Sequence, residues 1–367
     1  MRFTVSQSSL AKALSIVSKG MASNSTLPIL SGIRISANEG TLELQTTNLT
    51  ISIRHRVAAN VDEPGETVVS GKILSSIVKT LADAAVTFEA NGSSLVITCE
   101  KSAFKLNTLD PSDFPEFPTF VLNRSVELPS DLLSQMVDKV YRVTSKDNSR
   151  PILSGVLMTV ENNVIRLVAT DSYRLAVCDT NVATEESDEG FQMIIPGQVF
   201  HDVLSIPSDT TSILIGSTEN QVVFVFGNTT YISRRIEGNY PNYKQLLPDG
   251  YGTAVKISAS DFSAALKRVS VIAQSNPSVR FDVDADGQIL RMSSNAADQG
   301  EATETLPVEI EGDSMAIALN YHFVFDCMNA TGSNCDVTLE LQDSMRPAVF
   351  KSYSKINYLY LLMPVRM

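Results

Sequence analysis

The sequence predicts an α+β chain of three repeated domains, each with two helices and two small antiparallel sheets. Three landmarks recur in one order. First, Pro-Ile-Leu-Ser-Gly occurs in TLPILSGIRIS at 26–36 and in SRPILSGVLMT at 149–159, so Leu30 and Leu153 stand 123 positions apart. NPSVRFDV at 276–283 is a weaker third copy. Second, LELQTTN at 42–48 matches IRLVATD at 165–171, and LRMSSN at 290–295 is the third copy. Third, a strand pattern runs straight into a helix pattern in ETVVSGKILSSIV, FQMIIPGQVFHDVL and MAIALNYHFVFDCM. Short connections at 117–125 and 246–252 divide the chain into 1–122, 123–248 and 249–367.

Each copy opens with an amphipathic helix. At about 100° per residue, Leu10, Leu14, Val17 and Met21 share a stripe. So do Leu132, Leu133, Met136, Val137 and Val140 in the second copy, over a helix predicted at 130–146, and Phe262, Ala265, Leu266, Val269 and Ile272 in the third. The second helices are predicted at 70–82, 197–206 and 320–330. Between helices the chain alternates with period two, as in LELQTTNLTISIRHRV and NQVVFVFGNTTYISRRI, and turn signals such as ANEG, EPGE and DADG separate the strands.

The 367 residues are 43% hydrophobic and 19% charged, a globular composition. No stretch approaches the roughly 18 apolar residues of a membrane span, and the N-terminus lacks an apolar h-region, so a cytoplasmic protein is expected. Cys99, Cys178, Cys327 and Cys335 have no metal-site spacing and read as reduced core thiols. The net charge of -12 opposes holding nucleic acid mainly by phosphate neutralisation.

Basic residues nevertheless collect on helix faces. Lys12 and Lys19 are seven apart on the first helix, and Lys72 and Lys79 are seven apart on the second, opposite Ile73, Leu74, Ile77 and Val78. Lys139, Arg142 and Lys146 sit at i, i+3 and i+7 of the helix at 130–146, and Lys267 and Arg268 follow in the third copy. Acid collects in loops, as at Glu185, Glu186, Asp188 and Glu189. A solvated lysine face is ordinary on one helix, but its repetition favours a shared basic surface. The helices at 197–206 and 320–330 carry no lysine or arginine, so that surface would hold a polyanion weakly enough to slide.

No catalytic constellation emerges. His55, His201 and His322 lie in unrelated settings, and no dinucleotide, phosphate-loop or nucleophile-elbow motif is present. Asp282, Asp284 and Asp286 before Gly287 imitate the start of a calcium loop, but Ser293 stands where its final glutamate belongs, so a strand and turn is the better reading. No metal and no cofactor is expected. A repeated scaffold without a distinguished copy suggests a structural role.

These features together resemble the beta subunit of bacterial DNA polymerase III, the sliding-clamp family, over essentially the whole chain. The resemblance runs from MRFTVSQSSLAKAL through TLPILSG, ATDSYRLAV, YPNYKQLLP and DSMRPAVF to YLYLLMPVRM, and the TDxxRLA motif and terminal MPxR are its specific parts. It implies the DNA-clamp fold, with two chains paired head to tail into a six-domain ring, helices inward and sheets outward. Its implied partners are double-stranded DNA, the replicative polymerase, the clamp loader, repair polymerases and other proteins with a clamp-binding peptide, and a second copy of itself.

The family's peptide pocket takes Gln-Leu-x-Leu-Phe-like segments. Carried over by motif, it comprises Leu153, Thr170, Ser172, Tyr173, Arg174, Leu175, Pro241, Leu246, Met345, Leu361, Met363, Pro364, Val365, Arg366 and Met367. Taken alone, Leu153, Leu175 and Leu361 read as core, whereas an apolar chain end ought to be docked on something. Two positions depart from the family pattern: Ser172-Tyr173 replaces Gly-His or Gly-Tyr, and Gln245 stands at an often basic position, which implies an altered peptide preference. The resemblance places the subunit interface at Phe104 and Leu106 against Val271 and Ile272, with Lys72 pairing Glu301 or Glu304 rather than facing DNA. DNA-facing positions are then Lys12, Lys19, Lys79, Lys139, Arg142, Lys146, Arg150, Lys267 and Arg268, with a loop near Asn24. The competing readings are a secreted or surface repeat-built β-rich binding protein and a hydrolase using scattered carboxylates; both lack support from specific motifs.

Overall fold

The computed structural model describes residues 1–22, 26–147, 149–183, 190–274 and 276–366; Asn24, the acids at 185–189 and Met367 lie outside them. Among the described residues are six α-helices: α1 (Gln7–Val17), α2 (Gly71–Thr80), α3 (Ser130–Val140), α4 (Gly197–Leu204), α5 (Ala259–Val269) and α6 (Tyr321–Thr331). The strands Gly65–Ser70, Phe191–Pro196 and Met315–Asn320 run without a linker into α2, α4 and α6, as the third landmark requires. Apolar stripes are buried where the period puts them: Leu10, Leu14 and Val17 on α1, Leu133, Met136, Val137 and Val140 on α3, Phe262, Ala265, Leu266 and Val269 on α5.

Three helices stop earlier than their patterns suggest. α1 ends at Val17 and passes into a 3₁₀ turn, Ser18–Gly20, so Lys19 and Met21 leave the helix. α3 ends at Val140, which puts Arg142 in the 3₁₀ turn Tyr141–Val143 and Lys146 in the loop beyond it. α5 ends at Val269, leaving Val271 and Ile272 past its cap.

The repeated PILSG has a single local explanation. Pro28–Ser31 and Pro151–Ser154 are both 3₁₀ turns with proline in the first turn, where its missing N–H costs nothing. Ser31 and Ser154 each donate from Oγ to the proline carbonyl at 2.7 Å, while Leu30 and Leu153 go into the core. Gly32 and Gly155 then open strands where a side chain has no room. A methyl at Gly155 would stand 2.4 Å from Ile194 Cγ2 and 2.8 Å from Ile236 Cδ1. Gly155→Ala is therefore expected to cost about 1–3 kcal/mol by overpacking. A lowered urea midpoint would register it, and an unchanged midpoint would mean the two isoleucines yield freely.

Among the described residues all strand pairing is antiparallel, and the sheets cross repeat boundaries. Two compact units result: Met1–Asp131 with Asp202–Arg235, and Leu132–His201 with Ile236–Met367. In the first, strand Ile51–Ala58 of repeat one pairs with Thr229–Arg234 of repeat two, Ile53 opposite Tyr231. In the second, Arg174–Asn181 of repeat two pairs with Asn357–Leu362 of repeat three, Leu175 opposite Leu361. The corresponding strands left over are Ser102–Leu109 and Gly300–Pro307. Gly300–Pro307 is the edge of a four-stranded sheet. Ser102–Leu109 pairs along Ser94–Cys99 on one side, but on the other only Thr108 and Leu109 are bonded.

Candidate functional site

The TDSYR segment is a tight turn between strands Val164–Thr170 and Arg174–Asn181. Thr170 Oγ1 donates to the Arg174 carbonyl at 2.7 Å and accepts from Ser172 N–H at 3.3 Å. Asp171 Oδ1 accepts from the Tyr173 and Arg174 N–H groups, both at 3.0 Å. These bonds hold Ser172 at φ +79°, a conformation that favours glycine. Repeat one builds the same turn. Thr47 Oγ1 donates to the Ile51 carbonyl, Asn48 Oδ1 accepts from Thr50 and Ile51 N–H, and Leu49 sits at φ +72°. The turn is thus common to both repeats. What differs is the residue that closes it: Ile51 in one, Arg174 in the other.

Arg174 is the centre of a buried polar cluster. Its Nε donates to Asp171 Oδ2 at 2.9 Å, Nη1 to Asp326 Oδ2 at 2.5 Å and to Tyr360 Oη at 3.1 Å, and Nη2 to the Arg142 carbonyl at 2.9 Å. The guanidinium carbon lies 4.2 Å from the Phe323 ring centroid. Burial pulls the Arg174 pKa down, but the Tyr360 hydroxyl, Asp326 and Asp171 more than offset it and hold the charge above the ordinary arginine value. Asp326, Tyr360 and Phe323 were invisible to sequence reasoning, because they lie about 150 or more positions away with no motif of their own.

The chain end is docked beside this turn. Met363 N–H donates to the Tyr173 carbonyl and Val365 N–H to the Ala318 carbonyl, each at 2.9 Å. Of the carried-over pocket residues, Leu153, Thr170, Leu175 and Leu361 are buried, and Leu175 and Leu361 belong to one apolar cluster. Tyr173, Leu246 and Met363 are exposed apolar groups, at 66, 52 and 43%. Pro241 and Arg366 are exposed, and Pro364 and Val365 half-buried. Met345 is 69% exposed, and its N–H donates to Asp343 Oδ1 in a turn of its own.

A second, polar cavity of about 840 Å³ adjoins the turn, with Asp171, Tyr173 and Arg174 on one wall and Arg142, Lys146 and Arg150 on another. Arg150 Nη1 donates to Ser172 Oγ at 3.0 Å, a bond that glycine at 172 would not offer. The other basic positions divide. Lys12, Lys79 and Lys267 are exposed on α1, α2 and α5. Lys19 turns to the Asp202 carbonyl at 2.9 Å and Ser205 Oγ at 2.6 Å instead of continuing the Lys12 face, because its helix has already ended. Lys139 departs from the expected solvent face: its ammonium donates to the Ala330 carbonyl at 2.5 Å, at the negative end of α6, and lies 5.3 Å from the Tyr358 ring centroid. Arg268 is held by a two-pronged pair with Glu304, at 2.7 and 3.0 Å, so Glu304 already has a partner within the chain. The acids of the calcium-like run serve a strand and turn: Asp282 pairs with Arg280, and Asp284 accepts from Gly287 N–H.

At the two unpaired strand edges, Phe104 and Leu106 are half-buried on Ser102–Leu109, while Val271 is 58% exposed and Ile272 half-buried near Gly300–Pro307. Lys72 and Glu301 are exposed. Ile73, expected on the apolar side of α2, is 50% exposed, so this helix leaves an apolar group beside its lysine.

Family models for the N-terminal, central and C-terminal domains of the DNA polymerase III beta subunit match residues 1–118, 127–242 and 244–366. The chain belongs to the DNA polymerase III beta subunit family. It is 30% identical to the beta sliding clamp of Synechocystis and 28% to that of Bacillus subtilis, with all of both chains covered in each case. The crystal structure of the Bacillus subtilis sliding clamp superposes with a TM-score of 0.93 at 27% identity, over 100% of this chain and 99% of that one. A Pseudomonas aeruginosa clamp bound to griselimycin matches with a TM-score of 0.93 at 25% identity, over all of both chains. Each of the three matched segments holds one copy of the strand-into-helix landmark.

Proposed function

We propose that two copies of this chain pair head to tail into a ring around duplex DNA and tether the replicative polymerase through the pocket beside Arg174. As a family member the chain is a sliding clamp and a processivity factor without a catalytic step of its own. The observation that carries the ring is the pattern of strand pairing. Repeat one pairs into repeat two, and repeat two into repeat three, through corresponding strands. The strands left for the next step, Gly300–Pro307 and Ser102–Leu109, have open edges. A second copy satisfies both at once, a head-to-tail contact made twice, whose rotation closes into a ring.

Within such a ring the repeats at 1–122, 123–248 and 249–367 each supply two helices to the inside. Lys12, Lys79, Lys267, Arg142, Lys146 and Arg150 then meet phosphates, while the net charge of -12 keeps that attraction weak and leaves retention to topology. The clamp loader and repair polymerases compete for the same pocket, whose rim of Tyr173, Leu246 and Met363 suits leucine and aromatic anchors. This role places the protein in the cytoplasm; no helix among the described residues is long and apolar enough to cross a membrane.

Removing residues 363–367 tests the pocket. Fluorescence polarisation of a labelled Gln-Leu-Ser-Leu-Phe peptide should show saturable binding by the full chain and at least about a tenfold loss on truncation, since Met363 and its bond to Tyr173 go with the tail. Equal binding by both proteins would refute the pocket.

A further inference from the structure

Strands Arg174–Asn181 and Asn357–Leu362 carry their apolar floor past the peptide pocket. Leu175 faces Leu361 within that pocket, and two residues along, on the same sheet face, Val177 faces Leu359. A cavity of about 480 Å³ opens over this second pair, walled by Tyr243 and Leu247. The turn Tyr243–Leu246 thus serves both places: Leu246 is among the pocket residues, while its neighbours line the cavity. The step from one pair to the next is about 7 Å, the rise of two extended residues.

The mouth of the cavity is positive in a protein that is strongly negative. Arg166, Lys244 and Lys351 line it against one carboxylate, Asp179. Arg166 is spent on Asp179 at 3.2 Å, and Lys351 on Glu340 at 2.7 Å. Lys244 is exposed and has no ion pair among the described residues. Tyr353 stands beside it 73% exposed, a large amphipathic ring of the type that anchors interfaces.

We propose that this cavity is an extension subsite for partner peptides. It takes an apolar or aromatic residue flanking the anchor segment, with carboxylates beyond it that meet Lys244. The assignment rests on the pocket reading above. It accounts for a cation with no partner, an exposed tyrosine and an unfilled apolar floor in register with the pocket, which that reading leaves unused. An extended peptide seated at Leu175 and Leu361 reaches the cavity with two further residues.

The test uses the full chain and three labelled peptides: the Gln-Leu-Ser-Leu-Phe core, and the core lengthened by Phe-Asp-Glu at its C-terminus or by Glu-Asp-Phe at its N-terminus. One of the lengthened peptides is expected to bind about five- to tenfold more tightly than the core. Lys244→Glu should remove most of that gain and Tyr353→Ala should reduce it, with core affinity unchanged in both variants. The gain should also shrink as salt rises. Three equal affinities would overturn the subsite and leave the pocket standing, as would a gain that both variants retain in full. A core peptide that the wild-type chain does not bind would sink the pocket reading and the subsite with it.

Discussion

Replacing Arg174 with alanine is expected to cost about 3–5 kcal/mol of folding stability and to abolish capture of partner peptides. The side chain is 8% exposed and donates to two carboxylates, a phenol and a carbonyl. Alanine would leave Asp171 and Asp326 as partly buried charges without a counterion, and uncompensated burial dominates the cost of breaking such a pair. The same change frees the Asp171–Tyr173 turn from the strand it caps, so Tyr173 and the tail bonded to it lose their position. Arg174→Lys is expected to recover little, because an ammonium cannot reproduce the fork that spans Asp171 and Asp326. Urea unfolding and peptide polarisation on the same samples would read both effects. A loss below about 1 kcal/mol would mean the carboxylates find solvent or other partners, and the cluster would not be a structural centre.

Much of the fold is legible in the sequence because its determinants are local. The PILSG turns, the Thr-Asx turns and the strand-into-helix junctions are each fixed by a few neighbouring residues, so they repeat as strings and fold as strings. The misreadings come where a distant partner competes with a local rule. Periodicity carries α3 through Arg142 to Lys146, but in a continued α-helix the Arg142 carbonyl would accept from the Lys146 N–H. It accepts instead from Arg174 Nη2. Lys139 has the spacing of a solvent-face lysine, yet the terminal carbonyls of α6 offer its ammonium a better place. Strands Ser102–Leu109 and Gly300–Pro307 each keep an open edge, which only the pairing of all the strands reveals. The resemblance names the proposed pocket residues, but not that Leu153, Leu175 and Leu361 are buried while Tyr173, Leu246 and Met363 are exposed.

Ile272→Asp is expected to turn the proposed dimer into monomers. Val271 and Ile272 follow the end of α5 and present apolar surface beside an open-edged strand, as Phe104 and Leu106 do on the complementary one. Joining the two edges would satisfy backbone groups that are otherwise left to water and bring Lys72 and Lys105 toward Glu301. A carboxylate at position 272 would be enclosed among apolar side chains without a cation, a penalty of about 4 kcal/mol or roughly a thousandfold in the dissociation constant. Light scattering at micromolar concentration should then report half the wild-type mass. Val121→Asp is the control: Val121 is 85% exposed and lies on neither open-edged strand, so the same charge there should leave the dimer intact. A dimer that survives Ile272→Asp would move the interface elsewhere. A wild-type chain that is already monomeric would remove the ring itself, since the three repeats of one chain leave both end strands without a partner.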